Sequence, residues 1–464
     1  MLRRILIISG YVFLTLLLVG LTVVLVAYGN DYSYDFSTHK IIQKGHVIID
    51  SLPNNIHITA DGHILTKKTP YQAAYKVGMH TFGLNLDGYW PWQKSLEVVA
   101  GQVSLVQYVI LVPKNPPQID LDTRVQIVAQ AISEDHRHLA YVTGGPDAAV
   151  YTLGVGNDSP VKVYTPKAGT TTTPAEQLTD VAWSADASHL LITGTVGGQP
   201  EELLESASGG SAINLTQQYG FTFAGIQFST SNWQQLYWIA PDGLRRLDVG
   251  SQTVSSVLAS NVSQFWPIPN QVLYVQNTGT EQSLWSINGN NHSQQLIDAL
   301  AASPTYAVAY STFLGTDELA VVPSATGTGT LYTGTFGSTP IAKTIAHAVS
   351  GASFSPDGHL VAFSSSNLIV TYDLNQSELQ NKLVDYTISG EPGQLLSLSW
   401  FDNYHMLLNR SGEMYWSEFD GANRVDLGPA YGDFAAYGTS DAKSIVTFRP
   451  LGSGVRILLL SLKP

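Results

Sequence analysis

The chain opens on an apolar run and never returns to one of comparable length. From Ile5 to Tyr28 almost every position is hydrophobic, and as a helix this stretch spans roughly 36 Å at about 1.5 Å per residue, enough to cross a bilayer. Arg3 and Arg4 precede it, so the positive-inside rule leaves the N-terminus in the cytoplasm and sends everything after Asn30 across the membrane. Ala27-Tyr28-Gly29 also offers small residues to a signal peptidase, but the run exceeds the roughly 7 to 15 residues of a signal-peptide core. The expectation is a single-pass anchor over residues 1–30, with a linker over 31–44.

From Gly45 the period changes to two. Short alternating runs at 47–50, 56–59, 81–86, 96–99 and 105–112 read as strands, separated by Pro53-Asn54-Asn55, Asp61-Gly62, Lys76-Val77-Gly78, Asp87-Gly88 and Ala100-Gly101. The Asn, Asp and Gly of these breaks tolerate the positive φ of tight turns. A compact antiparallel β-sandwich is expected over residues 45–113.

After Asn115-Pro116-Pro117 in the break at 114–118 a third pattern begins and repeats. Its clearest copy is Ala352-Ser353-Phe354-Ser355-Pro356-Asp357-Gly358-His359-Leu360-Val361-Ala362-Phe363, followed by Leu368-Ile369-Val370-Thr371-Tyr372-Asp373. Other copies start near Ala131, Ala182, Gln227, Gln264, Ser311, Ser399 and Tyr437. Their spacing of about 38 to 52 residues is that of a four-stranded propeller blade. The chain is therefore expected to be all-β, with a propeller of eight blades (alternatively seven) over 119–464. The outer strand of the last blade is expected from the segment near Ile119 to Thr123.

Two of these segments resemble known families. Val47-Ile48-Ile49-Asp50-Ser51, Pro53, Ile58-Thr59-Ala60-Asp61-Gly62, Thr69-Pro70, Gly78-Met79-His80, Gly88-Tyr89 and the closing run 106–112 occur in the order of the PEGA domain. At the tetrapeptide that names that family this chain reads Pro53-Asn54-Asn55-Ile56. The resemblance implies a small extracytoplasmic sandwich that acts as an adaptor or binding module. The repeats resemble TolB-like, or WD40-like, bacterial propellers, whose hallmark turn is intact at Ser355-Pro356-Asp357-Gly358.

Composition narrows the function. With 36 acidic and 23 basic residues the formal charge is -13, which opposes a phosphate-binding surface, so nucleic acid is not an expected partner. There is no cysteine, which removes disulfides, thiolate metal sites and thiol catalysis. No His-Glu-x-x-His, Gly-x-Ser-x-Gly, phosphate-loop or full EF-hand motif occurs in the sequence, so no catalytic residue, cofactor or metal is expected. His136 and His138 stand two apart, but His138, His189, His359 and His405 each precede the apolar strand of their repeat, which points to a packing position. Prolyl-oligopeptidase-type enzymes pair such propellers with an α/β-hydrolase domain, and here the repeats occupy the chain to Pro464.

Candidate partner contacts are Trp90 and Trp92, expected on one strand face where they could stack on a sugar or apolar patch, although core filling is the commoner fate of such residues. The others are Thr170, Thr171, Thr172 and Thr173 in a rim loop over 165–174, with a second loop expected at 323–330. Six Asn-x-Ser/Thr sequons, at Asn157, Asn214, Asn261, Asn291, Asn375 and Asn409, fall in segments that read as turns or loops. The expectation is a membrane-anchored extracytoplasmic scaffold that binds a protein or envelope glycan. The alternative, an envelope glycan- or peptide-processing enzyme, requires two channel-facing carboxylates about 5 to 9.5 Å apart.

Overall fold

A computed structural model describes the chain except residues 1, 37–38, 157–158, 172–173, 280, 326, 335, 337–339, 377–383 and 464, and the side chains of 2–7, 224 and 346. The chain divides into two compact units, residues 1–116 with 462–464, and residues 117–461.

The first unit begins with helix α1 (Leu2–Gly29). Its segment Ile8–Gly29 is long and apolar enough to cross a membrane, and none of it is buried in the protein. A short hairpin follows, β1 (Tyr32–Asp35) with β2 (Lys40–Gln43), in the stretch read as a linker. The strands are only four residues each, too short for a periodic signal to stand out.

Seven strands make the sandwich. β3 (Gly45–Leu52), β4 (His57–Ala60), β5 (His63–Lys68), β6 (Tyr71–Tyr75), β7 (Gly78–Leu84), β8 (Trp92–Val98) and β9 (Val103–Ile110) form two sheets, ordered β6-β3-β9 and β5-β4-β7-β8. Alternation along β3 turns Val47 and Ile49 inward, where they meet Ile58, Phe82, Leu84 and Val98 from the opposite sheet. Here the sequence reading needs correction, because the sandwich is not wholly antiparallel. β9 runs parallel to β3, with His46 opposite Val103 and Ile48 opposite Leu105. β3 and β9 are joined not by a hairpin but by the whole run β4 to β8, most of it in the other sheet, and only such a long connection lets two neighbouring strands lie parallel. β5 and β6 also went unread, and β5 is exposed along most of its length, so it carries no clean alternation.

The second unit is a β-propeller. Among the described residues it contains eight four-stranded antiparallel sheets. We number them along the chain: sheet 1 (127–164), sheet 2 (176–214), sheet 3 (224–254), sheet 4 (262–297), sheet 5 (306–348), sheet 6 (351–389), sheet 7 (395–429) and sheet 8 (437–461 with Gln118–Arg124). First strand meets first strand between neighbours: Trp183 donates to the Ala131 carbonyl (3.0 Å), Gln227 to that of Phe265 (3.5 Å), and Trp400 to Ser353 Oγ (3.2 Å). Gln130 of sheet 1 donates to the Tyr437 hydroxyl of sheet 8 (2.9 Å). The first strands therefore surround an axis and the ring is closed.

Burial between sheets holds the ring. Ala140, Val142 and Val150 of sheet 1 pack on Val181, Leu190 and Ile192 of sheet 2, and Leu139, Tyr141 and Leu153 pack on Val446, Phe448 and Ile457 of sheet 8. Each sheet is too thin to bury both faces alone, so its stability is shared with its neighbours. Sheet 8 takes its outer strand from Gln118–Arg124, which pairs with Gly454–Ser461 in the register Ile119 to Leu459 and Arg124 to Val455.

The hairpins joining first to second strands repeat one construction. In Ser133-Glu134-Asp135-His136, Ser184-Ala185-Asp186-Ala187, Ser355-Pro356-Asp357-Gly358 and Thr439-Ser440-Asp441-Ala442, the fourth N–H donates to the first carbonyl at 2.8–2.9 Å. The first hydroxyl donates to the Asp carboxylate and accepts from the N–H five residues on, as in Ser184 to Asp186 (2.7 Å) and His189 N–H to Ser184 (3.0 Å). The fourth residue is left-handed in all four, with φ of 56°, 55°, 77° and 48°. That conformation suits Gly358 and strains the other three.

Candidate functional site

Strands alternate direction within a sheet, so the first-to-second and third-to-fourth connections share one end of the propeller. At that end the first hairpin turns of sheets 1, 2 and 3 border an open groove of about 610 Å³. Sheet 1 contributes Glu134 and Asp135, sheet 2 Ala185 and Asp186, and sheet 3 Thr230, Ser231, Asn232 and Trp233. None of these is basic.

The three carboxylates are exposed. Against the upward pull of burial, hydrogen bonds from Ser133 and the Arg137 N–H hold the Asp135 carboxyl below its usual range. Ser184 and Ser188 do the same for Asp186. Both stay ionised, so the groove is anionic at neutral pH. Trp233 forms its aromatic wall, backed by His189 of sheet 2 at a ring-centroid distance of 3.5 Å. Burial lowers the His189 pKa, so that ring is neutral. The Thr230 hydroxyl is out of contact with solvent and makes no hydrogen bond among the described residues.

His138 and His359 occupy the same packing role, whereas His405 stacks on Trp416 of its own sheet. His138 sits 5.9 Å from Trp183 and His359 4.8 Å from Tyr404, each on the next sheet. His359 and His405 each hydrogen-bond an Asp of their own turn, Asp357 (2.6 Å) and Asp402 (2.8 Å). His136 Nδ1 lies 2.8 Å from the Gly438 carbonyl. Among the described residues no group of three or more His, Asp or Glu side chains is arranged to hold a metal ion.

The first strands of the eight sheets carry two carboxylates, Glu176 and Asp180, both from Glu176–Trp183. Glu176 is buried and engaged by the Tyr164 hydroxyl (2.8 Å) and the Lys167 N–H (2.8 Å). Asp180 is exposed and accepts from the Val181 N–H (2.8 Å). Further buried carboxylates lie off the axis, on inter-sheet faces. Burial raises the carboxyls of Glu202, in the third strand of sheet 2, and Glu318, in the second strand of sheet 5, to about 7.

The residues proposed from sequence are scattered. Trp92 is 3 % exposed in the sandwich core, and Trp90 is 41 % exposed. Trp90 precedes β8 and its N–H bonds the Val112 carbonyl at 2.9 Å, so the pair does not share a strand face. Thr170 and Thr171 lie in the connection between sheets 1 and 2, at the end of the propeller opposite the groove, and Thr172 and Thr173 fall outside the described residues. The loop read at 323–330 is shorter at both ends, because Pro323 closes one strand and Thr328–Thr333 is the next. Asn409 is no loop sequon either: it is fully buried in His405–Arg410 and its amide donates to the Gly432 and Phe434 carbonyls. The groove escaped the sequence because three turns about 50 residues apart build it; the recurring Ser-x-Asp was its visible trace.

Residues 44–112 match the family model described as the PEGA domain. This is a PEGA domain followed by a β-propeller. The chain matches no curated protein. Among solved structures it is similar to the "Structure of Dos1 propeller", with a TM-score of 0.50 at 12% identity over 75% of this chain and 95% of that one. It is also similar to the "Crystal structure of the eukaryotic initiation factor", with a TM-score of 0.48 at 12% identity over 76% and 91%. At 12% identity the first of these likenesses speaks for the fold alone.

Proposed function

We propose that this protein is a single-pass, membrane-anchored binding scaffold of the cell envelope, with its N-terminus in the cytoplasm and its PEGA domain and propeller outside. The propeller's groove at the turns of sheets 1 to 3 takes a basic segment of a partner protein. The observation that carries the reading is the groove's lining: Glu134, Asp135 and Asp186 converge beside the Trp233 indole with no basic residue among them. Such a site favours a Lys or Arg side chain, whose charge meets the carboxylates and whose stem or guanidinium packs on the ring. Its volume falls within the several hundred Å³ usual for ligand clefts. A binding role is favoured over hydrolysis of envelope polymers because the axial strands offer one exposed carboxylate, Asp180, where a glycosidase mechanism needs a pair.

Affinity capture with the full chain in detergent, from envelope extracts, tests this. The expected result is a protein partner whose retention weakens with added salt and falls about tenfold with Glu134→Lys, since the reversal removes roughly one charge-assisted contact. A partner indifferent to Glu134→Lys but lost with Thr170→Ala and Thr171→Ala would move the site to the opposite end. Retained material that resists protease and yields to glycan-degrading enzymes would replace the protein partner by an envelope glycan.

A further inference from the structure

We propose that the β1–β2 hairpin is a second membrane-contacting element, its aromatic face resting in the outer headgroup layer of the bilayer that α1 enters. The proposal rests on the reading of α1 as an anchor and adds to it a surface that the helix does not supply.

The two faces of the hairpin differ sharply. Pairing sets Tyr32 opposite Gln43 and Tyr34 opposite Ile41 on one face, and Ser33 opposite Ile42 and Asp35 opposite Lys40 on the other. The second face turns toward the sandwich: Asp35 forms an ion pair with Lys76 at 3.1 Å and its side chain is only 9% exposed. The first face is open. Tyr32, Tyr34, Phe36 and Ile41 are 43%, 49%, 81% and 71% exposed, Tyr34 meets Phe36 edge-on with centroids 5.1 Å apart, and no charged residue interrupts them. Three aromatics and an isoleucine presented together to water are unfavourable; at a membrane interface the same rings are favoured, with apolar bodies toward the chains and hydroxyls toward water.

Continuity with the helix selects lipid as the occupant. The 22-residue span Ile8–Gly29 extends about 33 Å, against roughly 30 Å of hydrocarbon, so α1 ends at the headgroup boundary. Only Asn30 and Asp31 separate it from β1, and both are tied down. The Asn30 amide and backbone N–H return to the Val26 carbonyl at 2.8 and 3.1 Å, and Lys44 N–H reaches the Asp31 carbonyl at 3.0 Å. The hairpin is thereby held at the depth where the helix emerges. Its open face borders a cleft of about 410 Å³ whose other wall is Val23, Val26 and Ala27 of the helix, with Tyr32 and Ile41 on the near side. A cleft so apolar suits a lipid chain better than water.

The absence of cysteine makes spin labelling direct. The full chain is reconstituted into phosphatidylcholine–phosphatidylglycerol vesicles with a nitroxide at Val19→Cys, Tyr32→Cys, Phe36→Cys or Leu314→Cys. Collisions with oxygen, which partitions into lipid, and with a water-soluble nickel chelate are then compared. The expected order places Val19→Cys deepest, Tyr32→Cys and Phe36→Cys at headgroup depth with nickel accessibility several-fold below Leu314→Cys, and Leu314→Cys in water. Val19→Cys in lipid with Tyr32→Cys and Phe36→Cys in water would overturn the hairpin assignment and leave the anchor standing. Val19→Cys in water would remove the anchor itself. Labels at Tyr32→Cys and Phe36→Cys shielded from both reagents would mean that protein, and not lipid, covers the face.

Discussion

The imidazole of His189 lies flat on the indole of Trp233, with centroids 3.5 Å apart and planes 12° apart, fastening sheet 2 to sheet 3 where the groove forms. Burial depresses the His189 pKa. A folded value below the unfolded one means that stability is complete above the ordinary histidine range and is lost as pH falls through the depressed value. Lowering the pH from about 7.5 to about 5 should therefore destabilise the native propeller more than it destabilises His189→Phe, which stacks without titrating. Denaturant midpoints of the two proteins at both pH values check this.

Glu202 and Glu318 work in the opposite direction. Their carboxyls are raised from 4.5 to about 7 by burial, although Thr193 and Thr333 each donate a hydrogen bond to them, at 2.9 and 2.8 Å. A raised carboxyl is neutral and harmless below its unfolded pKa and costs stability as pH rises through the folded value. Glu202→Gln and Glu318→Gln should each stabilise the propeller above about pH 7 by on the order of 3 kcal/mol, and have little effect near pH 4. Thermal unfolding across that range would reveal it.

The two sandwich tryptophans should separate cleanly. Trp92→Ala removes a side chain packed in the core and is expected to cost about 3–5 kcal/mol, whereas exposed Trp90→Ala should stay within roughly 1 kcal/mol. Limited proteolysis of the full chain, followed at sites within residues 45–113, distinguishes them.

Position four of the hairpin turns offers a matched pair of substitutions. A Cβ at Gly358, where φ is +77°, would approach Ser311 Oγ at 2.5 Å and the Thr312 carbonyl at 2.7 Å. Gly358→Ala should thus lose about 2 kcal/mol or more, while Ala187→Gly, which relieves a left-handed alanine at φ 55°, should gain about 0.5–1 kcal/mol. Urea midpoints moving in opposite directions would confirm the shared geometry.

Closure of the ring has its own residue cluster. Asp122 accepts from Arg124 Nε at 2.6 Å and from the Tyr141 hydroxyl of sheet 1, while the Arg124 guanidinium lies 3.9 Å above the Tyr151 ring. Asp122→Ala should cost about 1–3 kcal/mol, and hydrogen exchange should quicken first in Gly454–Ser461, the strand that Gln118–Arg124 covers. Uniform exchange changes throughout the propeller would argue against a local latch.

Much of this architecture was legible in the text. Ala131, Ala182, Gln227, Gln264, Ser311, Ala352, Ser399 and Tyr437 all fall in the first strand of a sheet, because each precedes a polar turn and then the largely buried apolar second strand, an order that recurs whatever the neighbours are. Local patterning could not disclose the parallel pairing of β3 with β9, since register between strands about 55 residues apart is decided by the crossover and not by either strand. The groove was hidden for the same reason. Asp135 and Asp186 look like ordinary turn residues, and they are; proximity to Trp233 appears only when sheets are laid side by side.

The pairing of Gln118–Arg124 with Gly454–Ser461 also bears on how the protein is made. A strand emitted early waits, its hydrogen-bonding edge open, while more than 300 residues follow before its partner arrives, so the last sheet is completed only when almost the whole chain has been made. An edge left open for so long is a template for pairing with other chains, so the interval before closure is when this protein is most exposed to aggregation.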